Sequence, residues 1–212
     1  MRAAFRRVRL PGLDLAAVIL LFALALSGQP GEIAPDTKLD LYVDPWGFLN
    51  RALHLWDPQV SWGLLQNQGY GYLFPMGPFF GVTSSILPMW VCQRLWWILL
   101  LLTGYLGMRV LLRAMGVASE RTLGPSWEAR VAVLASLAYA VCPRVVSTVG
   151  TISSETLPVV LAPWILAPLV LADRGILGPR RAAALSGLAT LCCGGVNAAA
   201  VVYALIPAGI WI

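Results

Sequence analysis

Charged side chains are scarce in this sequence. Lys, Arg, Asp and Glu together make up 12% of its 212 residues, against about 25% in an ordinary soluble domain. Histidine occurs once, at His54, and cysteine four times, at Cys92, Cys142, Cys192 and Cys193, all inside apolar stretches. Those cysteines have no zinc-ligand spacing and no second pair to frame a disulfide, so they read as small packing residues. Three soluble-enzyme signatures are also missing: a phosphate-binding glycine loop, a nucleophile elbow and a metal-ligand cluster. Nothing therefore supports ATP or a nucleotide sugar as substrate, or a metal site. The net charge of +5 does not point to nucleic acid either. Its arginines come in short clusters between apolar segments, without interleaved aromatics or a single basic face.

What is present is apolar sequence: 58% of the residues are hydrophobic. A bilayer core about 30 Å thick takes roughly 20 helical residues to cross, and several runs approach that length, which favours helices over a barrel. Spans are expected at about 13–28, 91–112, 131–149, 157–172, 182–193 and 198–212. The fold class expected is all-α, a polytopic transmembrane helical bundle with a long first loop at about 29–88 that carries interfacial helices. The first run also fits a cleavable signal peptide, with Arg2, Arg6, Arg7 and Arg9 ahead of it, although the later spans favour an uncleaved anchor. The chain stops at Ile212 within an apolar run, as expected of the N-terminal piece of a longer protein.

Arginines at the N-terminus, at Arg109, Arg113, Arg121 and Arg130, and at Arg174, Arg180 and Arg181 fall on alternate connections. By the positive-inside rule those connections and the N-terminus are cytoplasmic. The opposite face is acidic, with Glu32, Asp36, Asp40, Asp44 and Asp57 in the first loop and Glu155 in the second. The placement expected is a multi-pass protein of the cell membrane with that loop outside the cytoplasm.

Within the loop, Asp44-Pro45 suits a helix start, and Trp46, Leu49, Leu53 and Trp56 recur at helical spacing. A short helix lying on the membrane, with His54 on it, is expected there. Asp36, Asp40 and Asp44 lie four apart with Lys38 among them. They are a solvated acidic loop that caps local helices, or a carboxylate base held close to the first span's exit. Arg94 and Arg144 sit in apolar sequence, where charge is costly. They snorkel to headgroups or, with Lys38, hold a lipid phosphate. Glu155 opens the fourth span as a helix N-terminal carboxylate or a site residue. The stretch Gln66-Asn67-Gln68-Gly69-Tyr70-Gly71-Tyr72 has the amides and tyrosines that bind sugars and also the composition of ordinary turns.

Four strings, taken together and in order, carry a resemblance: Pro35-Asp36-Thr37-Lys38-Leu39-Asp40-Leu41, Asn67-Gln68-Gly69-Tyr70-Gly71-Tyr72-Leu73-Phe74-Pro75, Gln93-Arg94-Leu95-Trp96-Trp97 and Ser153-Ser154-Glu155-Thr156-Leu157-Pro158. The chain resembles the actinobacterial alpha-(1→3)-arabinofuranosyltransferases of the cell envelope, the AftD-like GT-C enzymes, over most of its length. The resemblance implies a GT-C bundle and a decaprenyl-phosphate arabinofuranose donor. It also implies an envelope arabinan acceptor, arabinogalactan or lipoarabinomannan, and a catalytic carboxylate in the first extracytoplasmic loop. That carboxylate falls on Asp36, with Asp40 second. Arg94, Lys38 and Arg144 would then meet the donor phosphate, and Gln68, Tyr70, His54 and Glu155 the acceptor, with no cofactor implied beyond the lipid-linked sugar. Two rival readings stay open on the bare residues. One is another polyprenyl-phosphate-sugar transferase of this architecture, such as a mannosyltransferase, and the other is a non-enzymatic lipid-linked sugar transporter or assembly subunit.

Overall fold

The computed structural model describes residues 11–36, 38–58, 62–65, 69–116 and 125–212. It is helical almost throughout. The helices are α1 (Pro11–Ala25), α2 (Leu39–Val43), α3 (Pro45–Ala52), α4 (Met76–Ser84), α5 (Met89–Met115), α6 (Pro125–Ala140), α7 (Pro143–Thr148), α8 (Ser153–Asp173), α9 (Pro179–Leu191) and α10 (Ala198–Trp211). A two-residue-per-strand hairpin, β1 (Trp56–Asp57) against β2 (Leu64–Leu65), and a 3₁₀ turn over Gly69–Tyr72 complete the first loop.

Among the described residues, three stretches are long and apolar enough to cross a membrane by length and composition: α5, the stretch Ala129–Thr148 that joins α6 to α7, and α8. The 27 residues of α5 reach about 40 Å at 1.5 Å per residue. The expected first, fifth and sixth spans fall on α1, α9 and α10, of 15, 13 and 14 residues. The third expected span is broken. Pro143 has no N–H to continue a helix, so α6 ends at Ala140 and α7 restarts with Pro143 in its first turn.

The core runs along α5 and α8, which make the broadest contact in the bundle. Trp96, Leu100, Leu101 and Tyr105 of α5 are buried against Val160, Leu161 and Ile165 of α8. Close approach is possible because Gly107 has no side chain: a Cβ there would stand 2.5 Å from the indole nitrogen of Trp164. Small residues at such seams let membrane helices pack backbone to backbone. α8 carries Pro158, Pro163 and Pro168 in its interior, each of which removes a helix hydrogen bond and frees a carbonyl. The Val159 carbonyl freed by Pro163 is taken by the Tyr139 hydroxyl of α6 at 2.5 Å. That bond fastens α6 to the weak point of α8.

α1 is fastened to α5 near the opposite end. Asp14 accepts from Tyr105 Oη at 2.5 Å and pairs with Arg109 at 3.2 Å. Arg109 is almost fully buried, so the pair satisfies a guanidinium that apolar surroundings would otherwise penalise.

The first loop folds over the other end of the bundle. α3 starts as expected, its Asp44 side chain accepting from the Gly47 N–H at 2.9 Å with Pro45 in the first turn. Its inward face is rotated from the expected one. Pro45, Phe48 and Ala52 are buried, whereas Trp46 and Leu53 stay mostly exposed. The helix ends at Ala52, so Trp56 belongs to β1 and His54 lies past the end, exposed. The strand turn there breaks the helical period that the spacing of Trp56 suggested.

Candidate active site

Three helix ends and one loop strand converge at this end of the bundle: the exit of α1 at Gly28, the start of α5, the start of α8, and the segment before α2. Gln93, fully buried in the first turns of α5, clamps that segment. Its Oε1 accepts from the Ala34 N–H at 2.8 Å and its Nε2 donates to the Ala34 carbonyl at 2.9 Å. Two residues on, Asp36 turns into the protein and is 8% exposed.

The reason Asp36 is buried is visible at α8. The residue that flanks the start of that helix, Ile152, has no side chain able to cap it, and the first N–H groups of a helix need an acceptor. Asp36, 117 residues earlier, supplies one, accepting from the Ser153 N–H at 3.2 and 3.3 Å. The Ser153 hydroxyl donates to Asp36 Oδ2 at 2.5 Å, and the Tyr42 hydroxyl donates to the same oxygen at 2.8 Å. A carboxylate suits the positive end of a helix dipole. Burial, together with the Asp36 charge beside it, pushes the Tyr42 hydroxyl far above the usual tyrosine range, so Tyr42 stays a neutral donor. Trp96 Nε1 reaches Ser153 Oγ at 3.2 Å, Phe79 and Phe80 meet edge to face, and Trp96 packs tilted against both rings.

Arg94 follows Gln93 and is 6% exposed. Its guanidinium lies 4.3 Å over the ring of Trp97 and has no hydrogen-bond or ion-pair partner among the described residues. It occupies the space left by Gly28, where a Cβ would stand 2.2 Å from its terminal nitrogen. The snorkelling alternative places the head in solvent, whereas this head is buried against the exit of α1.

The other expected residues separate into distinct places. Asp40 is exposed on α2 and pairs with Arg51 of α3 at 3.3 Å. Lys38 precedes α2, half-buried, without a charge partner among the described residues. Arg144 of α7 and Glu155 of α8 pair with each other at 2.6 Å, and Asn197 donates to the second oxygen of Glu155 at 2.7 Å. Arg144 also lines a cleft of about 320 Å³ with Tyr139, Val159, Ala162, Tyr203 and Ala204. Tyr70 is exposed on the 3₁₀ turn, its ring beside Gly195 of the α9–α10 connection, and Gln68 lies outside the described residues. His54 has no charge or hydrogen-bond partner through its side chain among the described residues. No three His, Cys, Asp or Glu side chains come together there as a metal-binding group either.

Sequence reasoning missed Tyr42, Ser153 and Asn197. Only Asn197 left a local signal: it stands before the run Ala198–Ala200 and caps α10 through the Ala200 N–H at 3.2 Å. Tyr42 and Ser153 join Asp36 through contacts that no local pattern encodes.

The helical bundle is that of a GT-C membrane glycosyltransferase domain. The chain belongs to that class and, within it, to the family of the alpha-(1→3)-arabinofuranosyltransferase N-terminal GT-C domain, whose family model matches residues 20–212. It is 47% identical over 192 residues to the alpha-(1→3)-arabinofuranosyltransferase of Mycobacterium tuberculosis, and 46% over 197 residues to that of Mycolicibacterium smegmatis. Those matches cover 89% and 92% of this chain, which spans 13% of the length of each relative. The cryo-EM structure of arabinofuranosyltransferase AftD from mycobacteria superposes with a TM-score of 0.84 at 42% identity, over 97% of this chain and 15% of that one. A mutant form of the same enzyme gives 0.85 at 44% identity, over 97% and 16%.

Proposed function

We propose that this chain forms the catalytic corner of a membrane arabinofuranosyltransferase that moves arabinofuranose from a polyprenyl-phosphate donor to cell-envelope arabinan, with inversion. The observation that carries this reading is the presence, at one end of the bundle, of a buried oriented carboxylate and a buried guanidinium that has no anion of its own among the described residues. Asp36 is the base. As the acceptor oxygen attacks the anomeric carbon, its proton passes to the Asp36 carboxylate. The bond from that carbon to the phosphate oxygen breaks, and its electron pair leaves on the polyprenyl phosphate. Inverting glycosidases need a second carboxyl group to protonate a poor leaving group. A phosphate needs no such proton, and a cation in its place is enough. Arg94 supplies that cation, the corner lies on the extracytoplasmic side of the plasma membrane, and no step is routed through a metal. The buried, oriented Asp36 is favoured over Asp40, whose exposed pairing with Arg51 leaves it on the surface of α2.

The full-length protein in lipid nanodiscs, offered prenyl-phosphate-linked arabinofuranose or prenyl-phosphate-linked mannose with an arabinan acceptor, tests the reading. Transfer from the arabinose donor alone, with the anomeric configuration inverted in the product, is the expected result. Equal use of the mannose donor, or retention of configuration, contradicts it.

A further inference from the structure

Two more polar groups at this end of the bundle are buried without a hydrogen-bond partner among the described residues: the indole Nε1 of Trp97 and the hydroxyl of Ser154. Buried donors are nearly always paired in a folded protein, because leaving one unmade forfeits its hydration and returns nothing. Trp97 is the ring beneath the Arg94 guanidinium. The same ring leans on the connection into α8, 3.4 Å from where a Cβ on Gly150 would stand. Ser154 belongs to the first turn of α8, next to the Ser153 that holds Asp36. Arg94, Trp97 and Ser154 are 6%, 9% and 4% exposed. Two buried unpaired donors and a guanidinium without an anion among the described residues thus lie on α5 and on the first turn of α8.

A set made only of donors calls for an oxyanion. A carboxylate presents two oxygens in one plane, which the guanidinium fork engages side by side. A tetrahedral phosphate has oxygens left over for an indole N–H and a hydroxyl, and it also benefits from the positive end of α8. The charge is limited too. Asp36 already occupies part of that helix end, and a second negative charge nearby is repelled. A phosphodiester carrying one charge fits where a diphosphate does not.

On the reading of Arg94 given above, we infer that Trp97 Nε1 and Ser154 Oγ are donor-binding groups that, with Arg94, hold the single phosphate of the lipid-linked sugar and select it over a diphosphate-linked one. Both are left unpaired in the ligand-free protein because their partner is the substrate.

The test uses the full-length protein with Trp97→Phe, which keeps the ring and removes its N–H, and Ser154→Ala. Melting temperature without substrate, donor KM, acceptor KM and inhibition by prenyl phosphate and prenyl diphosphate are read for each. A group that serves only the fold loses stability when removed, whereas an orphan donor does not. The expected result is an unchanged or raised melting temperature, a donor KM raised about 10-fold in each variant, an acceptor KM unchanged, and a narrowed preference for phosphate over diphosphate. Unchanged donor KM in both variants overturns the inference, as does a fall in melting temperature without loss of donor affinity. Weakened binding of phosphatidylglycerol with donor KM intact also overturns it, by marking a headgroup site. Arg94→Gln keeps the two levels apart: if it raises donor KM and the other two variants do not, only this inference falls. If Arg94→Gln also leaves donor KM unchanged, the phosphate reading of the corner falls with it.

Discussion

At the scale of single residues, what separates Asp36 from Asp40 is partnership. Asp36 accepts from Tyr42 and Ser153 inside the protein, while Asp40 shares a surface ion pair with Arg51. Exposed pairs contribute about 0.2–1 kcal/mol, so Asp40→Asn in the full-length enzyme is expected to keep transfer within about 5-fold of the parent. Tyr42→Phe removes a hydrogen bond to a charged group, worth about 1.5–3 kcal/mol, and is expected to lower the melting temperature and to lower kcat by about 10- to 100-fold. Its pH profile should keep its shape. The Tyr42 pKa is raised in the folded state, so the stability it contributes is fully present below about pH 10, the ordinary tyrosine value, and is lost only as pH rises beyond it. A pH limb between about 5 and 9 that disappears in Tyr42→Phe would contradict a neutral Tyr42. Gly28 makes a separate prediction. A methyl there meets the guanidinium of Arg94, the end of a long side chain, so Gly28→Ala should raise donor KM while leaving the melting temperature nearly unchanged.

Elements place these residues, and the placement is largely the work of Gln93. Its two bonds to the Ala34 peptide moor the first loop to α5, two residues from Asp36. Gln93→Leu preserves volume but strands a peptide N–H and carbonyl, at about 1–3 kcal/mol each. Thermal unfolding of the variant should begin lower and kcat should fall with it, whereas a loss of stability alone would show that the clamp does not position Asp36. Much of this was legible in the sequence. The apolar runs mark α5 and α8, Asp44-Pro45 marks the start of α3, and Arg94 stands out as a charge in apolar surroundings. The remainder was not, because it depends on pairs far apart in the chain. Asp36 caps α8 from 117 residues away, and periodicity reports only near neighbours. Arg144 reads as a headgroup anchor or phosphate ligand and Glu155 as a helix N-terminal carboxylate or site residue, until the turn between α7 and α8 brings them within 2.6 Å of each other. The same blindness hid Asp14, whose partner Arg109 is 95 residues on.

Across the whole molecule, polar chemistry gathers at the two ends of an apolar bundle. One end holds Asp14, Tyr105 and Arg109, which tie α1 to α5. The other holds the corner built from Gly28, Asp36, Arg94 and Ser153. The first is structural: Asp14→Asn weakens the hydrogen-bonded match for a buried guanidinium and should cost about 1–3 kcal/mol, read as earlier thermal unfolding in detergent, with donor KM unaltered in the surviving fold. The second is where the chemistry is placed, and its central claim is that Asp36, and not the nearby Asp40, takes the acceptor proton. The direct measurement is single-turnover transfer from prenyl-phosphate arabinofuranose by full-length Asp36→Asn and Asp40→Asn side by side, at equal protein and equal bound donor. Positioned bases contribute about 10²- to 10⁴-fold, so Asp36→Asn should fall by that factor while Asp40→Asn stays close to the parent. A rate for Asp36→Asn near that of the parent, or a collapse confined to Asp40→Asn, would contradict the account.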